Sequence, residues 1–245
     1  MRHARSDART YAGRSLDVSL AVDPRNREYP VAAKFPLGVE LPLTSRKWQC
    51  DYSLDQGREG ACIGYAGAHW MGSQPRPQDV SSRIAQRFYA GAQRNDVWPG
   101  EDYEGTSLQG LMRYWRKEGL IGEYRWIFSA DDLLRTLSHL GPVIVASAWP
   151  EECFHPDPYG FIEYDGERQG GHATCWTGID VEREYCTIQQ SWGRRHGKGG
   201  EVYMRFRDVE RMFGDKPRIA FPDKKSLAPY LAANRPWWHK LMFWQ

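Results

Sequence analysis

The 245-residue chain has no apolar run long enough to cross a bilayer, and none of signal-peptide type within its first 30 residues. A membrane span needs about 18 or more apolar residues in succession. A large excess of charge of one sign is missing as well. The 33 basic residues face 31 acidic ones, a net charge of +2, so there is no electrostatic footprint for nucleic acid or acidic lipid. Lysine is scarce: 8 of the 33 cations are Lys and the rest Arg, a bias that fits a GC-rich genome better than a function. The five cysteines, Cys50, Cys62, Cys153, Cys175 and Cys186, make an odd set with no CxxC pair. A secreted disulfide framework is therefore not expected, and a reducing, cytoplasmic setting is. Internal repeats are absent. Cys153 and His155 are the nearest approach to a metal-ligand pair, so neither metal nor organic cofactor is expected.

What is present describes a globular α+β chain. Hydrophobic residues make up 41% and charged residues 26%, and this length can bury a full-sized core. Residues 1–40 are Arg-rich and punctuated by proline, and read as an extended arm. Ala61 to Met71 is apolar all round, the pattern of a buried helix, with Gly64 and Gly67 permitting close approach. A second helix follows Asp79, where Ile84, Ala85, Phe88 and Ala92 recur at helical spacing. A third starts near Thr106 or Ser107 and ends at Gly119, and Ser129 with Asp132 signals a capping-box start for a fourth. From Gly141 the character changes. Pro142 to Trp149, His172 to Val181, Glu184 to Trp192 and Glu201 to Phe206 read as strands. The body is thus expected over residues 41–221, with a helical half about 52–125 and a β half about 126–221. Residues 222–245 form a second extension ending in Trp237, Trp238, Leu241, Met242, Phe243 and Trp244. So dense an apolar cluster either folds back on the body or docks onto a partner or a second copy of the chain.

One cysteine has unusual surroundings. Cys62 falls at the first turn of a predicted buried helix, behind the loop Asp55-Gln56-Gly57-Arg58-Glu59-Gly60. Backbone N–H groups and the helix dipole there favour a thiolate. The Gln56 amide and the Cys62 N–H are placed to hold an oxyanion. His69 returns to the same helix face, but a rise of about 10 Å over seven residues puts it out of reach of Cys62. His172 instead is expected to open a strand after Gly170 and Gly171. On the next strand the period of two puts Gln190 and Trp192 on one face. An amide there can orient an imidazole, and an indole can keep water from it.

Gln56-Gly57-Arg58-Glu59-Gly60-Ala61-Cys62 resembles the glutamine-to-nucleophile segment of papain-like cysteine proteases. Gly171-His172-Ala173 resembles their catalytic histidine strand, and Gln190-Ser191-Trp192-Gly193 their Asn-Ser-Trp-Gly segment. Glu104-Gly105-Thr106-Ser107 falls where the family has its substrate-binding stretch, and Gly141-Pro142-Val143 where the β half opens. The matches run in family order from about Leu41 to Phe206. The resemblance implies a two-lobed fold with the active site in the cleft, Cys62 as nucleophile, His172 as base, Gln190 as its orienting amide and Gln56 as oxyanion donor. It implies substrate contacts at Gly105 and Trp192, a protein or peptide substrate, and no cofactor. Alternatives are a peptidoglycan amidase or endopeptidase and a non-catalytic binding protein. Three departures stand out: Gln190 where the family has Asn, Glu59 in place of a half-cystine, and Ile63 in place of a Trp. Cys62 and His172 are 110 residues apart, short of the roughly 130–150 expected, which implies trimmed loops. The 61 residues before Cys62 leave little room for a long inhibitory propeptide. Compact members of this kind resemble bacterial and phage proteins.

Overall fold

A computed structural model describes residues 9–11, 14–16, 18–20, 23–35, 41–96 and 104–225. Among these the helices are α1 (Cys62–Gly72), α2 (Ser82–Asn95), α3 (Leu108–Lys117), α4 (Ala130–His139) and α5 (Phe206–Gly214). The strands are β1 (Arg9–Tyr11), β2 (Arg14–Leu16), β3 (Val18–Ser19), β4 (Arg46–Lys47), β5 (Thr106–Ser107) and β6 (Ile121–Ile127). After them come β7 (Val143–Pro150), β8 (Phe161–Ile162), β9 (Arg168–Asp180), β10 (Tyr185–Gln189), β11 (Glu201–Arg205) and β12 (Arg218–Lys224). No helix among the described residues is long and apolar enough to cross a membrane. The aromatic cluster Trp237 to Trp244 lies outside the described residues.

One sheet in the order β6-β12-β7-β9-β10-β11-β8, with β4 added beside β9, forms the β half. Its central strands are buried on both faces, which is why β7 reads as a continuous apolar run rather than an alternation. Ile144 and Ala146 face the core built by α1, α2 and α3, while Val143 and Val145 face the core shared with α4 and α5. Trp70 ties the halves together, its indole N–H donating to the Pro142 carbonyl at 2.8 Å.

Helix α1 is buried along its whole length, and small residues let it sit there. A Cβ at Gly64 would stand 2.2 Å from the Ala85 carbonyl oxygen, and one at Gly67 would stand 2.9 Å from Trp115. Helix α3 begins where Ser107 accepts from the Gly110 N–H, and α4 where Ser129 accepts from the Asp132 N–H. Three features differ from the sequence expectation. Helix α5 follows directly on β11; strand β6 belongs to the sheet although it precedes α4; and β12 carries the body through Pro222 to Lys224.

The described part of the N-terminal segment is packed into the body. Leu16 and Val31 belong to one core and Val18 to the other. Val18 and Ser19 pair in parallel with Thr106 and Ser107.

Candidate active site

Cys62 is the first residue of α1, and it is buried. Ala61 precedes it without a side-chain cap, so the first-turn N–H groups have no acceptor from a capping side chain. All five cysteines are thiols, with no disulfide among them.

The loop before α1 is stitched to the segment after β10. Asp55 bridges Trp192, the Gln56 N–H donates to the Ser191 carbonyl at 2.9 Å, and the Gly193 N–H donates to the Leu54 carbonyl at 3.1 Å. Gly57 sits at φ +66° and Gly193 at φ +78°, where a side chain would be strained. The Gln56 amide is buried. Its oxygen accepts from the Ser191 hydroxyl at 2.5 Å, and one N–H donates to the Glu59 carbonyl at 2.8 Å. An amide nitrogen has two such hydrogens, and the Glu59 carbonyl takes one of them.

His172 does not open its strand. Strand β9 begins at Arg168, and His172 sits inside it, opposite Ser147 of β7. The early start is possible because Gly170 and Gly171 are strand residues rather than a turn. Strand β10 ends at Gln189, so Gln190 and Trp192 stand just past it, yet both still face the imidazole. Nε2 of His172 donates to Gln190 Oε1 at 2.9 Å, and Nδ1 has no hydrogen-bond partner among the described residues. Trp192 stacks on the ring at 4.7 Å and 24°, and Trp149 meets it edge-on at 4.8 Å. Trp192 is 3% exposed, so its indole covers the histidine. Burial pushes His172 down to about 4; the Gln190 hydrogen bond works the other way, and the His196 and Arg14 charges add to the fall.

Two further residues join this cluster, the loop histidine His196, which spacing alone does not exclude, and Arg14, which carried no signal in the sequence. His196 meets Trp192 edge-on at 4.7 Å, and burial pushes it down to about 4. Arg14 reaches in from β2, donating to Asp55 Oδ1 at 2.7 Å, the Gly57 carbonyl at 3.2 Å and the Trp192 carbonyl at 3.3 Å. His69, by contrast, is structural as expected: its Nε2 accepts from the Leu54 N–H at 3.0 Å.

Gly105 has φ +102°, and α2 side chains hold both its polar groups. Its N–H donates to the Tyr89 hydroxyl at 2.9 Å, and its carbonyl accepts from Gln93 at 3.3 Å. The adjoining β5 is occupied by β3 of the same chain. On the opposite wall, a Cβ at Gly171 would lie 2.2 Å from the Val18 carbonyl oxygen, and one at Gly170 would lie 2.7 Å from Leu16. The N-terminal segment therefore runs from the histidine strand to the Gly105 stretch. Cys62 and His172 are each 0% exposed. The alternation of Leu16, Val18 and Leu20 with Asp17 and Ser19 is the strand signal that foretells it.

The fold is that of papain-like cysteine proteases. Xylellain, a cysteine protease from Xylella fastidiosa, superposes with a TM-score of 0.60 at 14% identity, covering 92% of this chain and 99% of its own. Digestive procathepsin L 3 from the larval midgut of Tenebrio molitor gives 0.56 at 17% identity over 76% of this chain and 72% of its own. Procathepsin B S9 from Trypanosoma congolense gives 0.55 at 14% over 78% and 80%. No protein-family model and no curated protein matches the chain.

Proposed function

We propose that this chain is a cysteine peptidase acting through Cys62 and His172. The observation that carries the reading is the imidazole held by Gln190 under Trp192, with Nδ1 left over, in a fold whose uncapped helix start bears Cys62. Burial keeps His172 neutral on its own. An imidazolium is stable there only opposite an anion, so transfer of the Cys62 proton to Nδ1 and formation of the ion pair are one event. The thiolate sulfur attacks a peptide carbonyl, and the oxyanion takes the second Gln56 N–H and the first-turn amides of α1. The C–N bond breaks as Nδ1–H passes its proton to the departing amine. Water, deprotonated by His172, then cleaves the thioester and restores the thiol. Gly105 is the backbone wall against which a peptide lies, and the N-terminal segment must leave before a substrate enters.

Intact-mass analysis after brief iodoacetamide treatment in the presence and absence of a peptide substrate tests this reading. Burial raises the thiols of Cys50, Cys153, Cys175 and Cys186 above their ordinary values, so they label slowly. Cys62 is expected to label first, and Cys62→Ala to abolish peptide cleavage while melting at the wild-type temperature. First labelling at another cysteine, or cleavage by Cys62→Ala, overturns the proposal. Selective labelling without cleavage of any peptide would favour the non-catalytic alternative, to which the filled cleft also lends itself.

A further inference from the structure

Outside these residues, a cavity of about 530 Å³ lies between the turn from Asp23 to Tyr29, one face of α3, and β6. Four cations line it, Arg25, Arg113, Arg116 and Lys117, with two carboxylates, Asp23 and Glu28. Asp23 is already committed: it accepts from Arg25 at 2.9 and 2.6 Å and from Gln109 at 2.9 Å, and lies 3.5 Å from Arg113. These bonds hold its carboxyl well below the usual range. Arg116 and Lys117 have no carboxylate partner among the described residues. Arg113 lies one helical turn before them, so all three reach the same opening.

The other walls are aromatic and fixed. The Trp126 N–H donates to the Tyr29 carbonyl at 2.8 Å, locking the turn to β6. Tyr124 stands edge-on against Trp126 at 5.7 Å, and Tyr29 is 52% exposed. Burial raises the Tyr124 phenol, against the pull of Arg113 and Arg116; it stays a donor, with two guanidinium groups within electrostatic reach.

A plainer account exists for two of the cations. Arg116 and Lys117 occupy the last turn of α3, where positive charge answers the helix's own carbonyls. That account explains neither the concavity nor the aromatic walls. We infer that the cavity binds a mononucleotide-type ligand, its planar ring against Tyr29 and Tyr124 and its phosphates on Arg113, Arg116 and Lys117. A single carboxylate would leave surplus positive charge, and an inorganic ion alone would leave most of a ligand-sized cavity to water.

Titration calorimetry on the full chain at about 0.15 M salt, with ADP, adenosine and pyrophosphate as probes, tests the inference. ADP is expected to bind saturably at one site, with adenosine and pyrophosphate each weaker by about tenfold or more. The double variant Arg116→Ala/Lys117→Ala, altered only at exposed positions, is expected to lose about tenfold or more in ADP affinity while melting within a few degrees of wild type, the cost of two cations at a helix end. Tyr124→Ala should weaken ADP and leave pyrophosphate unaffected. Absence of saturable ADP binding, or unchanged affinity in the double variant, overturns the site. Pyrophosphate binding as tightly as ADP overturns the aromatic ligand class. None of these readouts depends on peptide cleavage, so they stand or fall apart from the proposed activity.

Discussion

Arg14→Ala is expected to open the cleft. This guanidinium is the polar attachment between the N-terminal segment and the loop carrying Gln56, through Asp55, the Gly57 carbonyl and the Trp192 carbonyl. The ion pair is partly solvated, with side-chain exposures of 25% and 50%, so it contributes about 0.5 kcal/mol. The two bonds to carbonyls, long at 3.2 and 3.3 Å, add about 1 kcal/mol each, the worth of an ordinary hydrogen bond. Losing about 2.5 kcal/mol raises the population of the open segment by about 70-fold. If the open form is a small minority, turnover rises in the same proportion, and so does alkylation of Cys62. Both should be measured, because Asp55 and Gly57 flank Gln56 and their loosening would slow chemistry without slowing alkylation. Unchanged rates in both assays would refute the latch. A lowered melting temperature with no gain in either rate would show that Arg14 supports the fold and does not gate the cleft.

Three more outcomes follow from the same geometry. Gln56→Ala should lower kcat by about 10²–10³ with little change in KM, as for loss of one oxyanion donor; a kcat within about threefold of wild type removes Gln56 from the mechanism. Acid should destabilise the chain, because His172 and His69 titrate near 4 and near 3 when folded and near 6.5 when unfolded. Their contribution is full above about 6.5 and is lost as the pH falls toward 4, on the order of 3 kcal/mol for His172; a melting temperature flat from pH 7 to pH 4 contradicts this. Lys224→Met should lower the melting temperature by on the order of 10 °C. Nζ donates to the Trp70, Met71 and Ser73 carbonyls at the end of α1, at 2.7, 3.1 and 2.6 Å, and a buried carbonyl left unpaired costs about 1–3 kcal/mol; a variant melting as wild type does would show that these carbonyls find other donors.

Helix α1 and the strand pattern from Gly141 onward were legible because their causes are local. An all-round apolar run of 11 residues, Ala61 to Met71, is too long for an ordinary strand and reads as a buried helix, and Ser129 with Asp132 states its own helix start. Helix α5 was not legible. Phe206-Arg207-Asp208-Val209 follows β11 without a turn residue, so the change of period from two to 3.6 has no punctuation to mark it. Strand β6 mixes Gly122, Glu123 and Arg125 among its apolar residues, and its partner β12 lies far away in sequence, so pairing rather than propensity makes it a strand.

The site itself divides along the same line. The pairing of His172 with Gln190 was readable because the two fall on successive strand segments and the two-residue period puts Trp192 on the face of Gln190, and it survives even though β10 stops one residue early. The covering of the cleft was not, since the Arg-rich composition of residues 1–40 hid the alternation of Leu16, Val18 and Leu20. Gly170 and Gly171 held the second clue. Read as punctuation before a strand, they suggest a loop; placed inside β9, they are the only residue type that lets the Leu16 and Val18 backbone approach so closely. A pair of glycines beside a histidine therefore marks where another backbone lies against the strand, and here that backbone belongs to the chain's own N-terminal segment. Gly171→Ala follows from this: its methyl would collide with the Val18 carbonyl, so it should displace the segment and speed Cys62 alkylation. Because the collision is with main chain and no side-chain rotation relieves it, an unchanged alkylation rate in a folded Gly171→Ala protein would mean that the segment does not lie across the cleft in solution.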